Sequence, residues 1–145
     1  IALVLISILA ISSAIYYLVS YYRIDSKGTV KSLNIEVYWD RECTKKCTAI
    51  DWGYFYPNQT KNVTVYIKKI GNVNATLWLL TENWNPNNAS EYFNITWNRE
   101  GYLMTEEIVD ATISLTLLSE TYFTDFSFDL VIKGVEAPYP PNPPG

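Results

Sequence analysis

Residues 1–22 read IALVLISILAISSAIYYLVSYY and carry no charged side chain. We call this stretch the apolar run. It is apolar around its whole helical circumference, which is typical of a helix surrounded by lipid or by other helices. At about 1.5 Å per residue such a helix is roughly 30 Å long, enough to cross a bilayer or to form the core of an assembly. We therefore predict a long hydrophobic α-helix over residues 1–24 and a hinge over residues 25–29.

The chain begins at Ile1, without a methionine or a basic lead-in. A secretory signal has a positive n-region and a small-residue cleavage site, and it is absent from a mature chain. We expect instead that a charged leader has been removed just before the apolar run, which stays in the product. A trimmed chain or an ordinary signal-anchor is the alternative. Arg23, Asp25 and Lys27 follow with mixed signs, so the flanking charges set no orientation.

Side chains of the apolar run are candidates for contacts between copies of the chain. Ala10 and Ala14 are spaced to let two helix backbones approach closely. Four tyrosines would form an aromatic belt at a membrane surface or pack between subunits, namely Tyr16, Tyr17, Tyr21 and Tyr22. We expect the polymerisation contacts to involve Ile1, Leu3, Leu5, Ile6, Leu9, Ala10, Ser13, Ala14, Tyr17, Leu18 and Tyr21.

The rest of the chain is predicted to form one globular domain over residues 30–134, because its length suits a single core. The net charge is −4 and the basic residues do not cluster. This argues against nucleic acid as a partner, since phosphate binding needs Lys and Arg gathered on one face. Residues 135–145 form a proline-rich tail, expected to be extended and unable to join a sheet. The tail is either an unstructured end or a docking segment.

Alternating apolar and polar residues mark strands that bury one face. The inward-facing side chains of six runs are Leu33, Ile35, Val37 and Trp39; Val63, Val65 and Ile67; Val73, Ala75, Leu77 and Leu79; Phe93, Ile95 and Trp97; Val109, Ala111, Ile113, Leu115 and Leu117; and Phe126, Phe128, Leu130 and Ile132. With a less regular segment at Ala49–Tyr56, these runs predict an all-β immunoglobulin-like sandwich of about seven strands.

Turn chemistry separates the predicted strands. Gly71-Asn72 lies between two alternating runs, which predicts a hairpin within Val63–Thr81. Asn83–Ser90 and Asn98–Gly101 are rich in Asn, Pro and Gly, which is typical of loops.

Five N-glycosylation sequons are present, where the composition alone predicts about two. Their asparagines are Asn58, Asn62, Asn74, Asn88 and Asn94. On the strands that carry Asn62, Asn74 and Asn94, each Asn and its Thr fall on the face opposite the apolar set, since residues two apart share a face. We expect N-linked glycans at these sites. The alternative is that some sequons arise from the polar composition of the surface.

Cys43 and Cys47 are the only cysteines of the chain. Outside the cell they would form a disulfide, which closes a very small loop and therefore stabilises the fold only modestly. Without histidine they make a poor zinc site, and their spacing is not that of a redox Cys-x-x-Cys motif.

Enzyme functions fit this sequence badly. It contains no histidine, which excludes Ser-His and Cys-His nucleophile pairs, His-based metal catalysis and a blue-copper centre. The carboxylate pairs Glu106 with Glu107 and Asp125 with Asp129 are more simply solvated surface groups. We also find no Gly-rich phosphate loop. We expect no catalytic residues, no metal and no cofactor.

The organisation of the chain resembles that of a processed archaeal type IV pilin, with an apolar N-terminal run, a short hinge and a β-sandwich carrying several sequons. The resemblance covers nearly the whole chain, but it is one of architecture rather than of a diagnostic motif. It implies cleavage of a class III leader by a dedicated peptidase, insertion in the membrane before assembly, and a pilus assembly machinery as partner. Leu5 stands where bacterial members usually have glutamate, which favours the archaeal branch; Ile1 replaces the usual aromatic first residue.

The implied function is that of a subunit in an extracellular, homopolymeric filament. The apolar runs would bundle as its core, and the glycosylated β-domains would face outward for surface adhesion to a target that the sequence does not identify. Two alternatives remain open. One is an archaellin, which builds a swimming filament on the same plan, and the other is a single-pass membrane-anchored extracellular binding domain.

Overall fold

The structure is a computed structural model and describes residues 17–137. Within this range the chain forms seven strands and one short 3-10 helix. The strands are β1 (Leu33–Tyr38), β2 (Thr60–Gly71), β3 (Ala75–Asn85), β4 (Phe93–Trp97), β5 (Tyr102–Met104), β6 (Ile108–Leu117) and β7 (Ser127–Glu136), and the 3-10 helix is Asn87–Tyr92. The predicted all-β character of this domain is confirmed.

The described strands form two antiparallel sheets that pack against each other. One sheet has the order β1-β2-β6-β4 and the other has the order β5-β3-β7. Ile67 and Ile113 of the first sheet and Leu77 and Met104 of the second are fully buried in one shared core. Because side chains alternate between the faces of a strand, each sheet keeps a second face outside this core. These two outward faces differ in chemistry.

The connection after β2 differs from the prediction. β2 pairs with β1 and β6, whereas β3 pairs with β5 and β7, so the hairpin predicted within Val63–Thr81 is wrong. Gly71 has a φ of 121°, and a Cβ there would lie 2.1 Å from the carbonyl oxygen of Ser32. The Asn72 side chain accepts a hydrogen bond from the Ser32 N–H at 2.9 Å and donates one to the Val30 carbonyl at 3.1 Å. The turn therefore leads the chain from one sheet to the other. Its hydrogen bonds also hold the residues directly before β1 in place.

Two other local predictions are corrected. Ala49–Tyr56 contains no strand, because its aromatic residues do not alternate with polar ones and the segment lies as an irregular loop. The seventh strand is instead the short β5. Trp39 was predicted to face inward but is 39% exposed, because β1 ends at Tyr38 and the chain turns away there.

The chain before β1 is exposed over residues 17–32 and forms neither helix nor strand. The helix predicted over residues 1–24 is therefore wrong for residues 17–24 in this structure, and its remaining part, residues 1–16, lies outside the described residues. Tyr17–Ile24 lies in solvent, where so short a segment gains too little from helix propensity to offset nucleation. Among residues 17–137, no helix is long and apolar enough to cross a membrane.

β7 extends further than the sequence pattern indicated. Val135 pairs with Thr76 and Glu136 pairs with Ala75, so two residues assigned to the proline-rich tail belong to the sheet. The Ala137 N–H continues the contact by donating to the Asn74 carbonyl at 2.9 Å. Residues 138–145 of the tail lie outside the described residues.

Candidate functional site

One part of the outward face of the four-stranded sheet is built from hydroxyl and amide side chains. β6 lies between β2 and β4, with Asn62 opposite Ser114 and Asn94 opposite Thr116. The Thr60 and Thr116 hydroxyl oxygens are 2.6 Å apart, so neighbouring strands also bond through their side chains. We call this surface the hydroxyl face, and it comprises Thr60, Asn62, Thr64, Asn94, Thr96, Thr112, Ser114 and Thr116. These side chains are all uncharged.

Two of the sequons lie on the hydroxyl face. Asn62 and Asn94 are exposed, and their acceptor threonines, Thr64 and Thr96, point the same way from the next outward positions. The Ser114 hydroxyl donates to the Asn62 side-chain oxygen at 2.7 Å, which leaves the amide nitrogen, the atom that carries an N-linked glycan, free of that bond. Because β2 and β4 flank β6, the two sites are about 10 Å apart across the sheet.

The asparagines of the other three sequons lie outside the hydroxyl face. Asn58 is exposed in the turn before β2, where it has a φ of 65°. Asn74 is exposed directly before β3. Asn88 is half-buried in the 3-10 helix, and its side-chain oxygen accepts a hydrogen bond from the Tyr122 hydroxyl at 2.5 Å. Asn88 is therefore the most hindered of the five sites.

The outward face of the three-stranded sheet is largely apolar. We call it the apolar face, and its apolar side chains are Trp78, Leu80, Leu103, Val131 and Val135. Leu80 is 48% exposed and Leu103 is 51% exposed. Asn74 stands at one end of this face, about 13 Å along β3 from Trp78 at the usual strand rise.

A groove of about 1150 Å³ opens between the two sheets. One wall is the irregular loop Cys47–Phe55, and the other is the segment Thr121–Phe126 with the first half of β7. Val37 of β1 and Ile113 of β6 lie at its base. The groove is therefore bounded by a loop on one side and by the edge of a strand on the other.

Aromatic side chains dominate the deep end of the groove. The ring centroids of Phe93 and Phe126 are 4.4 Å apart, and Phe55 meets Phe93 edge-on at 5.8 Å. The Lys61 ammonium lies 4.9 Å from the centre of the Phe55 ring and donates to the Trp52 carbonyl at 3.0 Å. These contacts fix the loop wall against β2. The same loop carries Tyr54 at the surface, 92% exposed.

A small loop over residues 39–47 closes one end of the hydroxyl face. Its Arg41 guanidinium lies 5.2 Å from the centre of the Tyr66 ring, and Tyr66 is the next outward-facing residue after Thr64 on β2. Asp40 organises the loop by accepting hydrogen bonds from the Thr44 hydroxyl, from the Lys45 N–H at 2.9 Å and from the Thr44 N–H at 3.0 Å. These donors, led by the Thr44 hydroxyl, lower the pKa of the Asp40 carboxyl.

The two cysteines lie in this loop as free thiols, so the predicted Cys43–Cys47 disulfide is not formed in the structure. The reason is that their side chains are directed differently. Cys43 has a φ of 57° and its thiol donates to the Arg41 carbonyl at 3.6 Å. Cys47 packs against the core, and this burial raises the pKa of its thiol.

Charged groups elsewhere in the described part of the chain serve local contacts. Glu106 accepts hydrogen bonds from the Tyr102 hydroxyl at 2.6 Å and the Thr105 hydroxyl at 2.9 Å, and these donors lower the pKa of its carboxyl. Asp129 accepts from the Asn83 side chain at 2.8 Å. Residues 17–137 contain no group of three or more His, Cys, Asp or Glu side chains that could hold a metal ion.

Of the predicted polymerisation residues, the structure describes Tyr17, Leu18 and Tyr21. All three are exposed and lie before the first strand. The remaining ones, Ile1, Leu3, Leu5, Ile6, Leu9, Ala10, Ser13 and Ala14, lie outside the described residues.

Comparison with protein-family models, with curated proteins and with solved structures finds no match for this chain. Its function is therefore argued from its own residues.

The groove is the feature that the sequence analysis missed. Its loop wall was predicted to contain a strand, at Ala49–Tyr56. One available signal was the density of rings in Trp52-Gly-Tyr-Phe-Tyr56, which no alternating strand would bury on one face.

Proposed function

We propose that this chain is the structural subunit of an extracellular archaeal type IV pilus. In this proposal the apolar run forms a helix that sits in the membrane before assembly and in the filament core afterwards. The β-domain faces outward, carries N-linked glycans and provides the adhesive surface. A lipid-facing helix and a core helix need the same apolar circumference, so one sequence serves both states.

The observation that carries the proposal is that an apolar stretch of sequence is followed, in the same chain, by a domain with a polar surface. Residues 1–22 are uncharged and apolar, and the domain that follows presents a hydroxyl face with exposed Asn62 and Asn94. The first surface requires a dry environment, and the second suits glycan transfer and water. Between them, residues 23–32 are exposed, which suits a connection between a buried core and an outer domain.

The strand order supports an immunoglobulin-like description of the outer domain. The order β1-β2-β6-β4 corresponds to the A-B-E-D sheet of a constant-type sandwich. In the second sheet β3 and β7 take the C and F positions, and β5 is an addition on the far side of β3. Such a domain can display loops and faces without catalytic groups.

A charge in the middle of the apolar run tests the proposal. Leu9→Asp is expected to abolish filaments, because an unpaired charge in a lipid-like core costs several kcal/mol. Leu9→Met, which keeps volume and polarity, is the matched control and is expected to give normal filaments. Filament yield in sheared cell-surface material, read by electron microscopy, is the measurement. Normal filaments from Leu9→Asp would overturn the core assignment.

A further inference from the structure

The groove runs along a free edge of β7. β7 stands at the end of the order β5-β3-β7, so one of its edges pairs with no other strand of the described chain. Consecutive residues from Phe126 to Leu130 line the groove, which means that inward and outward side chains both border it. The groove therefore meets this strand at its backbone edge. An immunoglobulin sandwich has its G strand at this position, so an extended chain segment is the kind of partner that this edge can pair with.

The walls of the groove are suited to a proline-rich segment. Polyproline II segments bind to grooves lined by aromatic side chains, because the ring faces pack on the proline rings. Trp52, Phe55 and Phe126 line this groove, and Tyr54 adds a ring at its rim. The backbone carbonyls of a polyproline segment stay free to accept hydrogen bonds, and the edge N–H groups of β7 are donors of the right kind.

The chain itself contains a segment with this chemistry. Residues 138–145 read PYPPNPPG, with five prolines and no charged side chain. The rim of the groove carries Asp51, Asp125 and Asp129, so an uncharged segment meets no electrostatic penalty there. We propose that the groove binds the segment Pro138–Gly145 of a second copy of this chain.

The distance between the end of β7 and the aromatic end of the groove indicates that the bound segment comes from another copy of the chain. β7 leads away from the aromatic end of the groove, and at about 3.3 Å per residue Ala137 lies roughly 36 Å from Phe126. The segment Pro138–Gly145 spans about 25 Å as polyproline II. In its own chain the segment, laid straight back along β7, therefore reaches only to about Asp129 and ends roughly 11 Å short of Phe126. The segment of a neighbouring copy starts from a different point, so its length does not prevent it from reaching the aromatic end of the groove.

Such a contact is heterologous, because the aromatic end of the groove and the proline segment lie toward opposite ends of β7. Head-to-tail contacts of this type propagate into open filaments unless the rotation between copies closes a ring. The inference rests on the proposed function, since the copies are brought together by the bundled apolar runs. When the copies are held together in that way, the proline segment of a neighbour is present at a high effective concentration. The groove is then occupied even if the segment binds weakly.

Peptide binding tests the inference. A fluorescent peptide with the sequence of residues 137–145 is titrated into two detergent-solubilised monomeric proteins, the full chain and a chain ending at Ala137. Saturable binding to both, with similar affinity, is expected. Absence of saturable binding would overturn the proposal. Binding to the shortened chain alone would also overturn it, because it would mean that the segment occupies its own groove.

Two tyrosines of the loop provide matched variants. Tyr54 lines the groove and is 92% exposed, whereas Tyr56 is 76% exposed and does not line it. Because both are at the surface, Tyr54→Ala and Tyr56→Ala should fold alike. Tyr54→Ala is expected to weaken peptide binding about tenfold, and Tyr56→Ala to leave it unchanged. Equal effects of the two substitutions would contradict the assignment of the groove.

Filament yield is measured separately on the same proteins. Peptide binding by Leu9→Asp, which is expected to form no filaments, shows that the groove acts independently of the apolar run. Filaments with no peptide binding would remove the groove contact and leave the proposed function standing. Peptide binding by the unaltered chain, with no filaments in its cell-surface material, would contradict the proposed function and the role of the contact between copies.

Discussion

The hydroxyl face and the apolar face are both outward surfaces of the same sandwich, yet they carry opposite chemistry. The hydroxyl face presents Asn62 and Asn94 with a lattice of Thr and Ser side chains. The apolar face presents Leu80 and Leu103, each about half exposed. Both arise from strands whose side chains alternate between an inward and an outward face, so alternation alone does not decide what an outward face is for.

The two faces differ in how well they suit contact with water and with glycans. Hydroxyl and amide groups keep their hydrogen bonds in solvent, and a glycan adds further polar surface. An exposed apolar patch is the kind of surface that marks contacts with other molecules. In a filament subunit the hydroxyl face is therefore the one expected to point away from the filament axis.

The largest expected effect comes from one strand that serves both the core and the apolar face. Leu77→Ala should lower the free energy of unfolding by about 2–5 kcal/mol, because Leu77 is fully buried between the sheets. Leu80→Ala, three residues along β3 on the outward side, should cost about 0.5 kcal/mol or less. Urea denaturation of the purified protein measures both. A cost for Leu80→Ala equal to that of Leu77→Ala would mean that the apolar face is not an outward surface.

Removing the acceptor threonines tests the sugar-bearing role of the hydroxyl face. Thr64→Val and Thr96→Val should each abolish one glycan, because the sequon needs its hydroxyl residue. Thr112→Val changes the same face without altering a sequon residue, although the Thr112 hydroxyl lies 3.5 Å from that of Thr64, and should leave the glycan mass unchanged. Intact-mass spectrometry of protein from its native cells is the measurement. Bare Asn62 and Asn94 in the unaltered protein would contradict the expectation.

The two cysteines report on the loop that closes the hydroxyl face. In the reduced protein Cys47 should react with a maleimide several-fold more slowly than Cys43, because burial raises the pKa of its thiol and lowers the thiolate fraction. Peptide mapping after timed labelling gives the two rates. Equal rates for the reduced thiols would contradict the packing of Cys47.

The smallest expected effect is the pH dependence of the same loop. The pKa of Asp40 is lowered in the folded chain, so its carboxylate stabilises the fold above its unfolded pKa of about 3.9, and this contribution is lost as the pH falls through the lowered value. The stability advantage of the unaltered protein over Asp40→Asn should therefore shrink in acid. Thermal denaturation from neutral to acidic pH follows this difference. An advantage that grows in acid would contradict the sign.

Much of the fold was predictable because most strands bury one side. The inward rows Val63–Ile67 and Val109–Leu117 were read correctly, since their alternation repeats a single period. The route of the chain between sheets was not predictable from Gly71-Asn72. A positive-φ turn suits a hairpin as well as a crossing, and only the contacts of Asn72 with Val30 and Ser32 distinguish them.

The candidate sites were predictable only in part. Sequons are local motifs, so the five asparagines were found directly, whereas their exposure depends on register. The groove was missed because its walls, Cys47–Phe55 and the start of β7, are far apart in sequence. Residues 17–24 were predicted as helix from apolarity, but a helix of that kind requires neighbours that a single chain does not provide.

Electron cryo-microscopy of sheared cell-surface material is the most direct test of whether the chain is a filament subunit. We predict a filament whose core density accommodates helices formed by the apolar run, with outer domains whose hydroxyl faces point away from the axis and carry glycan density at Asn62 and Asn94. Recovery of the protein only from detergent-solubilised membrane, as a monomer, would contradict the account and favour a membrane-anchored binding domain.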